Sequence, residues 1–155
     1  KNGFQATFKI PGDLLGNNQV DFVADQVQEA PARAIIKKTK QVNLLVLEDD
    51  FINAQEIAKV VSNFEVFKTS LFSNQKNALD SLNKKVYHLA FLDVNLKKET
   101  CFDVATLCAE KGIPFYYLTG YGKSFIFEGA FPNATVLLKP VVDKQLNEIL
   151  EKFIE

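Results

Sequence analysis

Asn43-Leu44-Leu45-Val46-Leu47-Glu48-Asp49-Asp50 is an apolar run without alternation that ends abruptly in carboxylates. A strand with one wet face would alternate; a strand covered on both faces need not, and that is the habit of parallel sheets. The same form returns downstream. Leu89-Ala90-Phe91-Leu92 ends in Asp93, Ile113-Pro114-Phe115-Tyr116-Tyr117-Leu118 in Thr119-Gly120, and Thr135-Val136-Leu137-Leu138 in Lys139-Pro140. Between these runs lie helical patterns. One carries Ile57, Ala58, Val60, Val61 and Phe64, a second follows Ser73 with Ala78, Leu79 and Leu82, and a third runs from Phe102 through Lys111 to a stop at Gly112. A last helix, capped near Asp143, presents Leu146, Ile149, Leu150 and Phe153, and Val66-Phe67 reads as a weak edge-like strand. Strands alternating with helices predict an α/β fold, a doubly wound five-stranded parallel sheet flanked by helices. Ligands bind such sheets at the carboxyl ends of the strands, beside the switch in strand order.

The polar groups therefore stand where chemistry is expected. Carboxylates from two neighbouring strand ends repel one another unless a cation lies between them, and oxygen-only ligands select Mg²⁺ or a similar hard ion. A lysine after the fifth strand, Lys139, can pair with Asp93 or with an incoming phosphoryl group, and the Thr119 hydroxyl can donate to a phosphoryl oxygen. A carboxylate nucleophile, a metal and donors for the phosphoryl oxygens are the parts that phosphoryl transfer needs. Taken singly, each residue has a plainer reading: Glu48-Asp49-Asp50 as a helix N-cap, Asp93 as a turn former, Thr119 as a cap and Lys139-Pro140 as a surface turn. Their joint placement on four strand ends is what favours a site.

On those residues, 42–155 resembles a response-regulator receiver domain, which has a flavodoxin-like fold. The resemblance implies that Asp93 is the phosphoacceptor, that Glu48 and Asp49 are the acidic pair, and that Thr119 and Lys139 complete the site. It further implies Mg²⁺ held by Asp49, Asp93 and the backbone carbonyl of Asn95, with Glu48 acting through water. The function that follows is that of a domain promoting its own phosphotransfer from a phosphohistidine, on a histidine kinase or histidine phosphotransfer protein, and then switching a surface toward a downstream protein partner. Leu92-Asp93-Val94-Asn95-Leu96 with Glu99, and Pro114-Phe115-Tyr116-Tyr117-Leu118-Thr119-Gly120-Tyr121, are similar to receivers that accompany HWE-type histidine kinases, including the FATGUY group. Tyr117 and Leu118 stand where that group has Phe and Ala, and Lys97-Lys98 where it often has a small pair. Two other readings compete: a pseudo-receiver that binds partners without phosphorylation, and a nucleotide hydrolase suggested by Gly122-Lys123-Ser124. A phosphate loop would need its first glycine at position 117, which is Tyr117.

Residues 1–41 differ in texture. Phe4, Ala6, Phe8 and Ile10 alternate with polar residues up to Pro11-Gly12, which predicts a strand with no sheet of its own, and a mixed linker containing Lys37-Lys38-Thr39-Lys40 follows. Gly3 to Pro11 is similar to the last strand of a histidine-kinase ATP-binding domain. With Lys1 in place of a start methionine, this predicts the carboxyl-terminal receiver of a hybrid histidine kinase. His88 is the only histidine and opens a strand, so the phosphodonor is expected outside this sequence.

The composition sets bounds on partners. The chain has 155 residues, 47% hydrophobic, with 18 basic against 19 acidic residues and a net charge of -1. That balance, with Arg33 as the only arginine, argues against nucleic-acid binding. No apolar stretch or signal pattern predicts membrane contact, and the expected location is the cytoplasm. Cys101 and Cys108, two helical turns or ~10.5 Å apart, are too far for a disulfide and are expected as packed thiols. Val136 stands where many receivers carry a switching aromatic. Residues 120–132, with Gly120, Gly122, Gly129, Tyr121, Phe125, Phe127 and Phe131, are instead expected to form the moving element and partner surface.

Overall fold

The computed structural model describes residues 41–120, 131 and 134–155. The expected N-terminal strand and linker therefore lie outside the described residues, as does most of the segment 120–132. Five strands form one parallel sheet: β1 (Val42–Leu47), β2 (Phe67–Phe72), β3 (Leu89–Asp93), β6 (Phe115–Thr119) and β7 (Thr135–Leu138). A two-stranded antiparallel ribbon, β4 (Asn95–Leu96) and β5 (Glu99–Thr100), follows β3. The helices are α1 (Phe51–Val61), α2 (Gln75–Lys84), α3 (Phe102–Glu110) and α4 (Asp143–Ile154). The sheet order is β2-β1-β3-β6-β7. From β1 the chain steps outward to β2 and then returns to place β3 on the other side of β1, so the switch in strand order falls between β1 and β3. This is the flavodoxin-like arrangement, as expected.

The unbroken apolar runs have their explanation in the two cores. Leu45 and Leu47 of β1, Ala90 and Leu92 of β3 and Tyr117 of β6 pack with Ala78 and Leu82 of α2 and Val104, Ala105 and Cys108 of α3. Leu44 and Val46, Leu89 and Phe91, Leu118 and Leu137 pack on the other face with Ile57, Val60 and Val61 of α1 and Leu146 and Leu150 of α4. Alternate residues of each central strand thus enter opposite cores, and both sets must be apolar. Phe91 is fully buried, and a side chain of its kind contributes roughly 1.5–3 kcal/mol through burial.

Several boundaries differ from the sequence reading. β2 runs from Phe67 to Phe72 and not over Val66-Phe67; it has one neighbour, so exposed Lys68 and Leu71 are tolerated where a central strand would bury them. Asp143 is not the cap of α4. Val142 holds the N-cap position without a side-chain bond, and Asp143 sits in the first turn, where its charge favours the helix dipole. The ribbon was not anticipated, because Lys97-Lys98 lacks the Asn-Gly type of hairpin signature. Phe64 lies past the end of α1 and meets Phe67 edge-on at 6.1 Å.

The stop at Gly112 holds. Gly112 has φ +66°, Ile113 N–H donates to the Cys108 carbonyl at 2.8 Å and Gly112 N–H to that of Ala109 at 3.1 Å. These paired bonds form a Schellman cap, which needs the left-handed conformation that glycine adopts without strain.

Both cysteines are buried and unbridged. Burial pushes the Cys108 thiol up to about 12 and raises Cys101 further, with the charge of Asp93 adding to the latter. Stability from these protonated thiols is present below the ordinary thiol pKa and is lost as pH climbs through the raised values. Neither should react with iodoacetamide in the native protein at pH 8, and both should react once it is unfolded. Native-state alkylation as fast as that of a free thiol would contradict this packing.

Candidate functional site

Each central strand stops where its side chains change from apolar to polar. Among the described residues, tyrosines and cysteines aside, the buried polar and charged side chains are Glu48, Asp93 and Thr119, at 2%, 4% and 1% exposure. All stand at the carboxyl edge of the sheet, following or ending β1, β3 and β6. Burying such groups is costly unless they are paired, so their concentration at one edge needs a cause.

Part of the cause is Lys139, which follows β7. Its backbone N–H donates to the Thr119 carbonyl at 2.8 Å, continuing the ladder between β6 and β7 past the last paired residues. Its ammonium donates to Asp93 Oδ2 at 2.7 Å and lies 2.5 Å from Glu48 Oε2. Burial works against the ammonium, but the hydrogen bonds and charges of Asp93 and Glu48 outweigh it and hold its pKa above the ordinary lysine value. Glu48 is also raised, first by burial and then by the charge of Asp93, with Lys139 and the Asp50 N–H acting in the opposite direction. The Lys139–Pro140 peptide is cis.

The acidic triplet after β1 divides its work. Glu48 turns inward, and its Oε1 accepts from Asp50 N–H at 3.1 Å. Asp50 is exposed and caps α1, accepting from Ile52 N–H at 2.9 Å and Asn53 N–H at 3.1 Å. The plainer N-cap reading thus applies to Asp50 alone. Asp49, half-buried, accepts from Lys97 N–H through Oδ2 at 2.9 Å, which ties the ribbon turn to the end of β1. Asn95 N–H donates to Asp93 Oδ1 at 3.2 Å.

Glu48, Asp49 and Asp93 each offer an oxygen within 4.8 Å of the others. Glu48 Oε2 is buried and lies against the Lys139 ammonium. Three carboxylates offering one oxygen each at the edge of solvent, with one ammonium among them, leave negative charge in excess and form an oxygen-only set that fits a hard cation such as Mg²⁺. The structure brings Glu48, Asp49, Asp93 and Lys139 together, with Asn95 bonded to Asp93. Thr119 is buried at the end of β6, whose Leu118 pairs with Asp93.

His88 has a structural role at the opposite end of β3. Its Nδ1 accepts from Asn43 N–H at 3.0 Å, while its own N–H donates to the Asn43 carbonyl at 2.9 Å.

The chain matches no family model and no curated protein sequence. Solved structures do match. A two-component response regulator from Clostridium difficile is 18% identical, with a TM-score of 0.65 over 74% of this chain and 96% of that one. A receiver protein from Sinorhizobium medicae is 18% identical, with a TM-score of 0.66 over 74% and 95%. A chemotaxis protein from Vibrio cholerae is 21% identical, with a TM-score of 0.63 over 73% and 98%. Each neighbour is covered almost end to end. The chain therefore contains the receiver fold seen in these structures.

Proposed function

We propose that residues 42–155 form a phosphoacceptor receiver in a His-Asp phosphorelay, with Asp93 as the nucleophile. The observation that carries this reading is the meeting of Asp93 with Glu48, Asp49 and Lys139 at the switch point of the sheet. An Asp93 oxygen attacks the phosphorus of a phosphohistidine, the P–N bond breaks, and the imidazole leaves with the electron pair. Asp49, Asp93 and the Asn95 carbonyl would hold Mg²⁺, with Glu48 acting through water, and the ion when bound would supply neutralising charge for the phosphoryl oxygens. Lys139 supplies a second positive charge, and Thr119 donates to a phosphoryl oxygen. The donor is a histidine kinase or histidine phosphotransfer protein. Placement in a hybrid kinase of the HWE type rests on the likeness of Gly3–Pro11 and of the segments around Asp93 and Thr119. Among the described residues no helix is long and apolar enough to cross a membrane, and a cytoplasmic site of action suits a phosphorelay.

Acetyl phosphate with Mg²⁺ should add one phosphoryl group to the purified protein, and chelation should prevent it. A pseudo-receiver would stay unlabelled under both conditions, and a nucleotide hydrolase would release phosphate from ATP instead. Asp49→Ala should remove the Mg²⁺ requirement's basis, so that labelling falls to background at millimolar-range metal, while metal-free stability stays level or rises. Its lost bond to Lys97 N–H is near the surface and costs about 1 kcal/mol, offset by relief of carboxylate repulsion. Unchanged Mg²⁺ affinity with a large loss of stability would make Asp49 a structural residue.

A further inference from the structure

We infer that Gln75, with Glu99 and Asp103, is a positioning clamp that holds the β4–β5 ribbon, and through it Asn95, in register with the acidic site; this rests on the receiver reading above. Gln75 is the first residue of α2, far in sequence from the ribbon. Its backbone N–H donates to Glu99 Oε1 at 2.7 Å. Its side-chain amide makes a reciprocal pair with Asp103: Nε2 donates to Oδ2 at 3.0 Å, and Oε1 accepts from Asp103 N–H at 3.0 Å.

These bonds satisfy two helix ends at once. The N-cap residue of α3, Cys101, makes no side-chain cap bond, so the Asp103 N–H would have no acceptor on its own segment. Gln75 supplies that acceptor from α2. Glu99 in turn reaches across to an amide at the start of α2, where a negative charge is favoured by the helix dipole.

The ribbon lies between these anchors and the site. Glu99 pairs with Leu96, and Thr100 pairs with Asn95, whose N–H meets Asp93. The turn is fixed on the other side by Lys97 N–H on Asp49. A residue two positions beyond the nucleophile is thus framed by bonds to Asp49 at one end and by the Gln75 clamp at the other. Gln75 is half-buried and Glu99 and Asp103 are exposed, so their replacement opens no cavity in the core. Groups that orient metal ligands from behind commonly govern affinity by 10–100-fold without touching the ion.

The test exchanges donor and acceptor. Gln75→Glu sets a carboxylate against Asp103 and beside Glu99, and should weaken Mg²⁺ binding, measured by titration calorimetry, and slow acetyl phosphate labelling at subsaturating Mg²⁺, each by about 10-fold. The double variant Gln75→Glu/Asp103→Asn restores a matched pair at the wild-type net charge and should recover most of both losses. A Gln75→Glu variant with a lower metal-free melting temperature but unchanged Mg²⁺ affinity would overturn the clamp, leaving a merely structural bond. So would a double variant no better than the single one. Wild-type protein that takes no phosphoryl group would instead overturn the receiver reading, whereas labelled wild type beside an unaffected Gln75→Glu variant overturns the clamp alone.

Discussion

Asp93→Asn should abolish phosphoryl transfer from acetyl phosphate, because a neutral amide is a poor nucleophile and offers the metal no charge. The same substitution keeps the shape of the side chain, so folding should survive. It also removes one of three carboxylates from a crowded site in which Asp93 raises the pKa of Glu48. Metal-free stability should therefore change little, with the weakened bond to Lys139 set against less repulsion. Intact mass and circular dichroism check both halves. A folded variant that is labelled at the wild-type rate would move the nucleophile elsewhere.

Lys139→Ala should give the largest loss of stability at the site. Its ammonium is the charge shared by Glu48 and Asp93, and removing it leaves two buried carboxylates facing each other. Breaking a fully buried pair costs about 3–5 kcal/mol; the Lys139 side chain is 20% exposed, which brings the expectation to about 2–3 kcal/mol. Mg²⁺ should recover part of that loss, since a divalent cation among the same oxygens replaces the missing charge. Denaturant unfolding with and without Mg²⁺ measures this. A variant as stable as wild type without metal would show that Lys139 does not neutralise the pair.

The legible parts of the sequence were those in which burial leaves a contiguous signature. Leu44–Leu47 and Leu89–Leu92 are apolar at every position because alternate residues enter different cores, and an abrupt change to Glu48 or Asp93 marks the strand end. Helix α2 was visible through Ala78 and Leu82, and the end of α3 through Gly112. β2 was harder to see: as an edge strand it carries Lys68, Thr69 and Ser70, which no central strand would accept. The triplet Glu48-Asp49-Asp50 showed that carboxylates gather after β1 but not which one turns inward, since that depends on where α1 begins. The Gln75 clamp left no trace, because its hydrogen bonds join residues 24 and 28 positions apart and use ordinary surface side chains. Only folding brings the starts of α2 and α3 together.

The most direct test of the proposed function is the identity of the residue that carries the phosphoryl group. Protein treated with acetyl phosphate and Mg²⁺ can be reduced with borohydride, which converts an aspartyl phosphate to homoserine, and then digested and sequenced by mass spectrometry. Homoserine should appear at position 93 alone and vanish when Mg²⁺ is chelated. Conversion at another aspartate, or none at all in folded protein with Mg²⁺ present, would contradict the role assigned to Asp93.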